Sequence, residues 1–330
     1  MNVPAPPNRE TAPAWPASRI PRFGVQIPQQ DVPYSKLLEF AREAEDLGYD
    51  TAWVFDHFFP IVGSPEGPCL EGWSVLSALA ALTKRIRLGV LVTGNTYRHP
   101  SALAQMGATV DIISGGRLEF GLGAAWFGLE HQALGIPFPS TRERLERLEE
   151  ALQLIRLLWT RDKVDFNGKH YQLRGALCNP KPVQKPHPPI MVGGGGERRT
   201  LRTVARHANL WNAFGLPETF RRKIAVLREH CEAEGRNPDD IEKSVLVMSH
   251  MSDDPRALEK GVKETAKRLG RAEEEVRKGM LLGDADAVAK RVREYHDAGV
   301  THIILCLLPL FDLPSLRRFA KEVIPKFRNG

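Results

Sequence analysis

From Arg22 onward, short apolar segments alternate with longer amphipathic ones. The short segments fall at residues 23–28, 51–55, 86–92, 117–122, 190–192, 208–211, 244–248 and 301–308. They carry apolar residues without polar alternation, the mark of strands buried on both faces of a parallel sheet. The segments between them have helical spacing. In residues 34–47, for example, Leu37, Leu38, Ala41, Ala44 and Leu47 line one face, and Gly48 stops the run. Further helices are expected at 73–82, 101–113, 142–160, 199–207, 217–234, 286–298 and 313–327. Eight strand–helix units in one chain predict a closed (β/α)8 TIM barrel. A doubly wound sheet is the alternative, but its first strand should feed a glycine-rich phosphate turn, and here Pro28-Gln29-Gln30 follows instead.

A length of 330 residues allows either one such barrel or two smaller domains. The strand–helix alternation predicts a single barrel domain over residues 22–330, preceded by an extended or disordered arm at 1–21 that is rich in proline. Two insertions interrupt the rhythm. Residues 163–173 read as a hairpin turning at Asn167-Gly168, and residues 258–278 read as one charged helix. No run of 18 apolar residues occurs, so no membrane partner is expected. The four cysteines lie far apart without a C-x-x-C pair, which argues against a disulfide framework or a zinc site and suits a cytoplasmic protein. The excess of 46 basic over 40 acidic residues is interleaved along helices and forms no patch for nucleic acid. The histidines lack metal-ligand spacing, and G-x-S-x-G is absent.

In a TIM barrel the chemistry sits where the strands end. The second strand runs into Asp56-His57-Phe58-Phe59. A histidine there can move a proton near neutral pH, and the neighbouring carboxylate can accept from a ring N–H or a hydroxyl. The third strand leads to small and hydroxyl residues at 92–96, the fourth to Gly121-Leu122-Gly123-Ala124-Ala125-Trp126. These suit a flat ring close to the backbone, although a turn and a rim tryptophan explain them as well. The fifth strand ends in Gly193, Gly194, Gly195 and Gly196, then Glu197-Arg198-Arg199 and a helix. Converging main-chain N–H groups at a helix N-terminus bind phosphate, and four glycines in a row are entropically expensive for a purely structural loop.

The segments VFDHFF (54–59), RIRLGVLVTGNTYRHP (85–100), DIISGGRLEFGLGAAW (111–126), ALGIPFP (133–139), PPIMVGGGGERRTLRTVARHANLWN (188–212) and GDADAVAKRVREYHDAGVTHIIL (283–305) together resemble the bacterial luciferase-like monooxygenase superfamily, most of all the branch that uses coenzyme F420, a deazaflavin. The resemblance spans residues 22–328. It implies an F420-dependent oxidoreductase that acts on a small-molecule substrate, usually as a homodimer. Asp56 would contact the deazaflavin and His57 would serve as the catalytic acid/base beside its reactive carbon. A bulge at Val90, Leu91 and Thr93, often holding a non-proline cis peptide, would back the ring. Ala124, Ala125 and Trp126 would line it, and Gly193 to Gly196 with Glu197 and Arg198 would hold the phosphate. Phe58, Phe59, Trp73 and Trp126 would form an apolar rim. Sugar-phosphate dehydrogenases of this branch carry a glutamate where Trp126 stands, with Glu130 four residues on, so an apolar substrate is expected here. The alternatives are an FMN-dependent monooxygenase of the same superfamily and a non-catalytic flavin-binding protein.

Overall fold

The computed structural model describes residues 20–308 and 310–328, so the expected N-terminal arm lies, apart from Ile20 and Pro21, outside the described residues. Eight parallel strands form the barrel: β1 (Arg22–Gln26), β2 (Thr51–Val54), β3 (Arg87–Val90), β4 (Leu118–Gly123), β5 (Ile190–Gly193), β6 (Leu210–Ala213), β7 (Glu242–Met251) and β8 (His302–Leu307). Each pairs with the next, and β8 returns to β1, with Arg22 opposite His302 and Val25 opposite Leu305. The closed barrel removes the open sheet from consideration. Helices α1 (Tyr34–Asp46), α2 (Gly72–Leu82), α3 (Pro100–Ser114), α4 (Thr141–Thr160), α5 (Thr200–His207), α6 (Pro217–Ala233), α7 (Ala285–Asp297) and α8 (Leu313–Glu322) alternate with the strands along the chain.

Period-two alternation divides the apolar residues between two regions. Leu118, Phe120 and Leu122 of β4, like Ile303 and Leu305 of β8, join the large core between strands and helices. Trp53, Leu91, Met191, Leu210 and Ile304 form a separate cluster inside the barrel. Each fully buried large side chain contributes about 1.5–3 kcal/mol. Below that cluster, at the strand N-termini, lies a buried polar plug. Arg22 pairs with Glu119 at 2.6 Å and with Glu242 at 3.0 Å, and Arg87 reaches Glu119 at 2.7 Å. His302 Nδ1 lies 2.7 Å from Glu242, and its Nε2 lies 2.8 Å from the Thr51 hydroxyl. Burial pushes the Glu119 carboxyl up, but Arg22, Arg87 and His302 outweigh it and hold the group at about 2.

Three expectations change. The 258–278 insert is two helices, Pro255–Leu269 and Glu273–Gly279, because Gly270 at φ 63° caps the first in a left-handed conformation. The hairpin forms, from Val164–Asn167 and Gln172–Ala176, but Asn167 pairs with Gln172 and the loop is residues 168–171. The Glu150 carboxylate of α4 accepts from the N–H groups of Lys169, His170 and Tyr171, which holds the longer loop in place. The final helix divides at Pro325, which opens the short helix Pro325–Arg328.

Candidate active site

Beyond Val54 the chain leaves β2 and delivers Asp56 and His57 to the C-terminal mouth of the barrel. Asp56 is 2% exposed. Its Oδ2 accepts from Gly94 N at 3.1 Å and from Arg98 Nη1 at 2.8 Å. Arg98 is itself held by Glu71 at 2.6 Å, and Glu71 caps α2 by accepting from Trp73 N and Ser74 N. Asp56 Oδ1 is buried with no hydrogen-bond partner. Burial pushes this carboxyl above its usual range, with Arg98 pulling the other way. A buried acceptor without a protein donor is open to a donor from a ligand or a water.

His57 is 9% exposed, and its Nδ1 lies 3.0 Å from Glu130 Oε2. Glu130 is fully buried. Its Oε1 accepts from Phe58 N at 2.6 Å and Phe59 N at 2.8 Å, and its Oε2 also accepts from the Tyr97 hydroxyl at 2.5 Å. Burial raises the Glu130 carboxyl, but the bonds from His57, Tyr97 and Phe59 N prevail and leave it below the usual carboxylate range. Glu130 rides on the short helix Gly128–Leu134, which ends at Gly135, φ 67°. His131 anchors that helix: its Nδ1 donates to Phe127 O at 2.8 Å, and its Nε2 lies 2.7 Å from the Thr96 hydroxyl. The rings of Trp126 and Phe127 pack edge-on against His57 at 5.5 and 5.6 Å.

The β3 bulge carries a cis peptide between Leu91 and Val92. Val90 faces the outer core, Leu91 the barrel interior, and the Thr93 hydroxyl accepts from Trp73 Nε1 at 3.1 Å. Val92 is the bulge residue that lies against the glycines of the neighbouring strands. A Cβ on Gly123 or Gly193 would come within 2.7 or 2.8 Å of its side chain, and one on Gly121 within 2.0 Å of Val90 O. Close approach to the bulge therefore explains the Gly121-x-Gly123 pattern without any dinucleotide. Ala124 is partly buried against the core. Ala125 has φ 62°, a left-handed backbone that non-glycine residues seldom adopt, and Trp126 beyond it is 62% exposed.

Gly193 ends β5, and Gly194, at φ 129°, donates its N–H to Asn212 O and accepts from Trp211 Nε1 at 2.8 Å. Gly195, Gly196, Arg198, Thr200 and Lys223 line a cleft of about 390 Å³. Lys223 Nζ donates to Gly195 O and lies 3.4 Å from Glu197, which also pairs with Arg222 at 3.2 Å. Glu197 is thus tied to α6, whereas Arg198 is exposed. Glycine backbone, Arg198 and Lys223 suit an anionic tail, and the orphaned Asp56 oxygen suits a polar ring edge. These residues fit a phosphorylated flavin-type cofactor. A second depression, of about 450 Å³, is lined by the ion-paired side chains Asp253, Asp286, Arg318, Glu322 and Lys326 and lacks such features. Among the described residues no cluster of His, Cys, Asp or Glu could hold a metal.

Trp73 is not a rim residue. It is buried in the core against Phe120, because α2 turns its first residues inward. Phe58 and Phe59 are half-buried. The rim instead gains Phe214, 72% exposed just past β6. Nothing in the sequence alone links Glu130, Tyr97, Arg98 or Lys223 to these contacts. The helix that carries Glu130 does have a signal: an acidic first turn and a glycine stop mark a short helix at 128–134.

A model of the luciferase-like monooxygenase family matches residues 20–275. The chain is 29% identical to an F420-dependent glucose-6-phosphate dehydrogenase of Kineococcus radiotolerans, covering 93% of this chain and 97% of that one. Among solved structures, an F420-dependent secondary alcohol dehydrogenase in complex with an F420-acetone adduct superposes with a TM-score of 0.84 at 22% identity, covering 94% and 99% of the two chains. The coenzyme F420-dependent tetrahydromethanopterin reductase of Methanopyrus kandleri does so with a TM-score of 0.79 at 23% identity, covering 93% and 99%.

Proposed function

The chain belongs to the luciferase-like monooxygenase family, and from that premise we propose that it is an oxidoreductase that transfers a hydride between coenzyme F420 and an apolar organic substrate. The observation that carries this reading is the pair at the end of β2. Asp56 has a buried oxygen without a donor, and His57 is held by Glu130 through Nδ1 while its Nε2 has no partner among the described residues. The F420-dependent activity in the names of the relatives supports it. When bound, F420 supplies a carbon that accepts or returns a hydride.

The protein's own residues do the rest. Asp56 receives a donor from the ring edge or its hydroxylated side chain. Val92, packed against Gly123 and Gly193, would back the ring, and Ala124, Ala125 and Trp126 would line it. Gly195, Gly196, Arg198 and Lys223 take the phosphate. His57 Nε2 removes the hydroxyl proton when an alcohol is oxidised and returns it to the new oxygen when a carbonyl is reduced. A positioned acid/base contributes about 10²–10⁴-fold.

The substrate class follows from the mouth. By the family resemblance Trp126 takes the place of a second acid/base glutamate, and both Trp126 and Phe214 expose large apolar rings. An apolar substrate buries them and excludes water from the hydride path. A sugar phosphate would leave those rings facing a hydrated ligand.

Thermal unfolding with F420 or with FMN tests the cofactor. A ligand at 100 times its Kd adds about 2.7 kcal/mol to native stability. F420 is expected to raise Tm, and FMN at the same concentration to leave it unchanged. A rise with FMN alone, accompanied by oxygen-dependent turnover, favours the monooxygenase reading. Binding without turnover of any hydride donor favours a flavin-binding protein.

A further inference from the structure

The buried carboxylate of Glu130 has no part in the proton transfer just described, yet it accepts from four donors: His57 Nδ1, Phe58 N, Phe59 N and the Tyr97 hydroxyl. We infer that Glu130, steadied by Tyr97, is a positioning residue that sets the tautomer of His57, keeping hydrogen on Nδ1 and leaving Nε2 as a bare lone pair for the substrate.

Counting donors around Glu130 fixes the assignment. An ionised carboxylate only accepts hydrogen bonds. Two backbone N–H groups occupy Oε1, and a phenol and an imidazole nitrogen share Oε2. The phenol is a firm donor, because burial and Glu130 both push its ionisation upward. His57 Nδ1 must then carry hydrogen to bond at 3.0 Å. A neutral imidazole has only one hydrogen to place, so with Nδ1 donating its Nε2 has none. Among the described residues nothing else around His57 competes. Phe55, Trp126 and Phe127 present rings, and Cys69 Sγ reaches the His57 carbonyl rather than the imidazole. The two charged side chains of the Asp56–Arg98 pair bond each other. Tyr97 is fixed in turn by stacking on His131 at 4.8 Å and by an edge contact with Phe58 at 5.1 Å. Carboxylates that orient a working imidazole in this way are common wherever one ring nitrogen must stay free.

Glu130→Gln is the discriminating variant, since it keeps the shape of the side chain. Its carbonyl oxygen can still accept from Phe58 N and Phe59 N, which places the amide NH₂ against His57 Nδ1. The imidazole must then move its hydrogen to Nε2. Nitrogen NMR of ¹⁵N-histidine-labelled protein without cofactor reads this directly. The wild type is expected to show His57 protonated at Nδ1, and Glu130→Gln to show it protonated at Nε2. With F420, the same variant is expected to lose about a hundredfold or more in kcat while KM for F420 changes less than threefold. Tyr97→Phe, which removes one donor and adds none, is expected to keep the Nδ1–H form with a loss in kcat of only about fivefold. A wild-type protein protonated at Nε2, or a Glu130→Gln protein with the wild-type pattern, overturns the inference. Should Glu130→Gln not fold, the wild-type and Tyr97→Phe spectra still decide it, because an Nε2–H ring in either contradicts it. The kinetic arm rests on the function proposed above and the spectral arm does not. Wild-type protein with the Nδ1–H ring but no turnover with F420 upholds the tautomer assignment and rejects the function.

Discussion

His57 shows how one side chain can matter to chemistry and little to folding. Among the described residues its ring makes a single hydrogen bond, to a carboxylate that keeps three other donors. His57→Ala is therefore expected to cost at most about 1–3 kcal/mol in denaturant unfolding but about 10²–10⁴-fold in kcat. Proportionate losses in the two measurements would reject an acid/base role. The Asp56-His57 dipeptide could be picked out from the sequence because it follows an apolar strand of a barrel, where chemistry collects. Glu130 could not be paired with it, since 73 residues separate the two and only the closed barrel brings β2 and the segment after β4 together. Trp73 is the opposite case. An aromatic at the head of a helix that follows a strand–helix loop reads as rim, yet its place in the first turn of α2 points it at the core.

Among the elements, the turn from β5 into α5 depends most on residue type. Gly194 sits at φ 129°, where a Cβ is strained and would also meet Thr200 at 3.2 Å. Gly194→Ala is expected to shift the neighbouring amides and weaken F420 binding roughly tenfold, the equivalent of about 1.4 kcal/mol, while the unfolding midpoint moves little. Fluorescence titration with F420 checks this, and unchanged affinity would show that the loop does not grip the cofactor. That four glycines ahead of a helix make a turn with exposed main-chain N–H groups is legible in the sequence. That Lys223 of α6 closes over Gly195 is not, because a lysine in an amphipathic helix looks like any solvated charge until the helix is docked. Gly270 was equally readable as a helix stop, although the expected single insert helix ran straight through it.

At the scale of the whole molecule, the plug at the strand N-termini ties β1, β3, β4, β7 and β8 together through Arg22, Arg87, Glu119, Glu242 and His302. Glu119 ionises at about 2 in the folded protein and near 4.3 when unfolded. A depressed carboxylate stabilises the fold fully above its unfolded value and loses that contribution as pH falls toward the folded one. Wild-type stability is thus expected to drop steeply between pH 4 and about 2. Glu119→Gln should unfold more easily at pH 7 by about 3–5 kcal/mol, since it leaves two arginines short of a buried partner. It should also show a shallower acid limb in urea titrations, and an unaltered limb would locate the acid sensitivity elsewhere.

The barrel could be deduced from the chain because its cause is periodic and local. Eight apolar strands must each hide both faces, and each is followed by a helix with one greasy side, so closure is the arrangement that buries them all. The mouth of the barrel obeys no such rhythm. Which carboxylate holds His57, which valine covers the glycines and which lysine meets the tetraglycine turn are contacts between segments remote in sequence, and only the docking of helices around a finished barrel brings them within bonding distance.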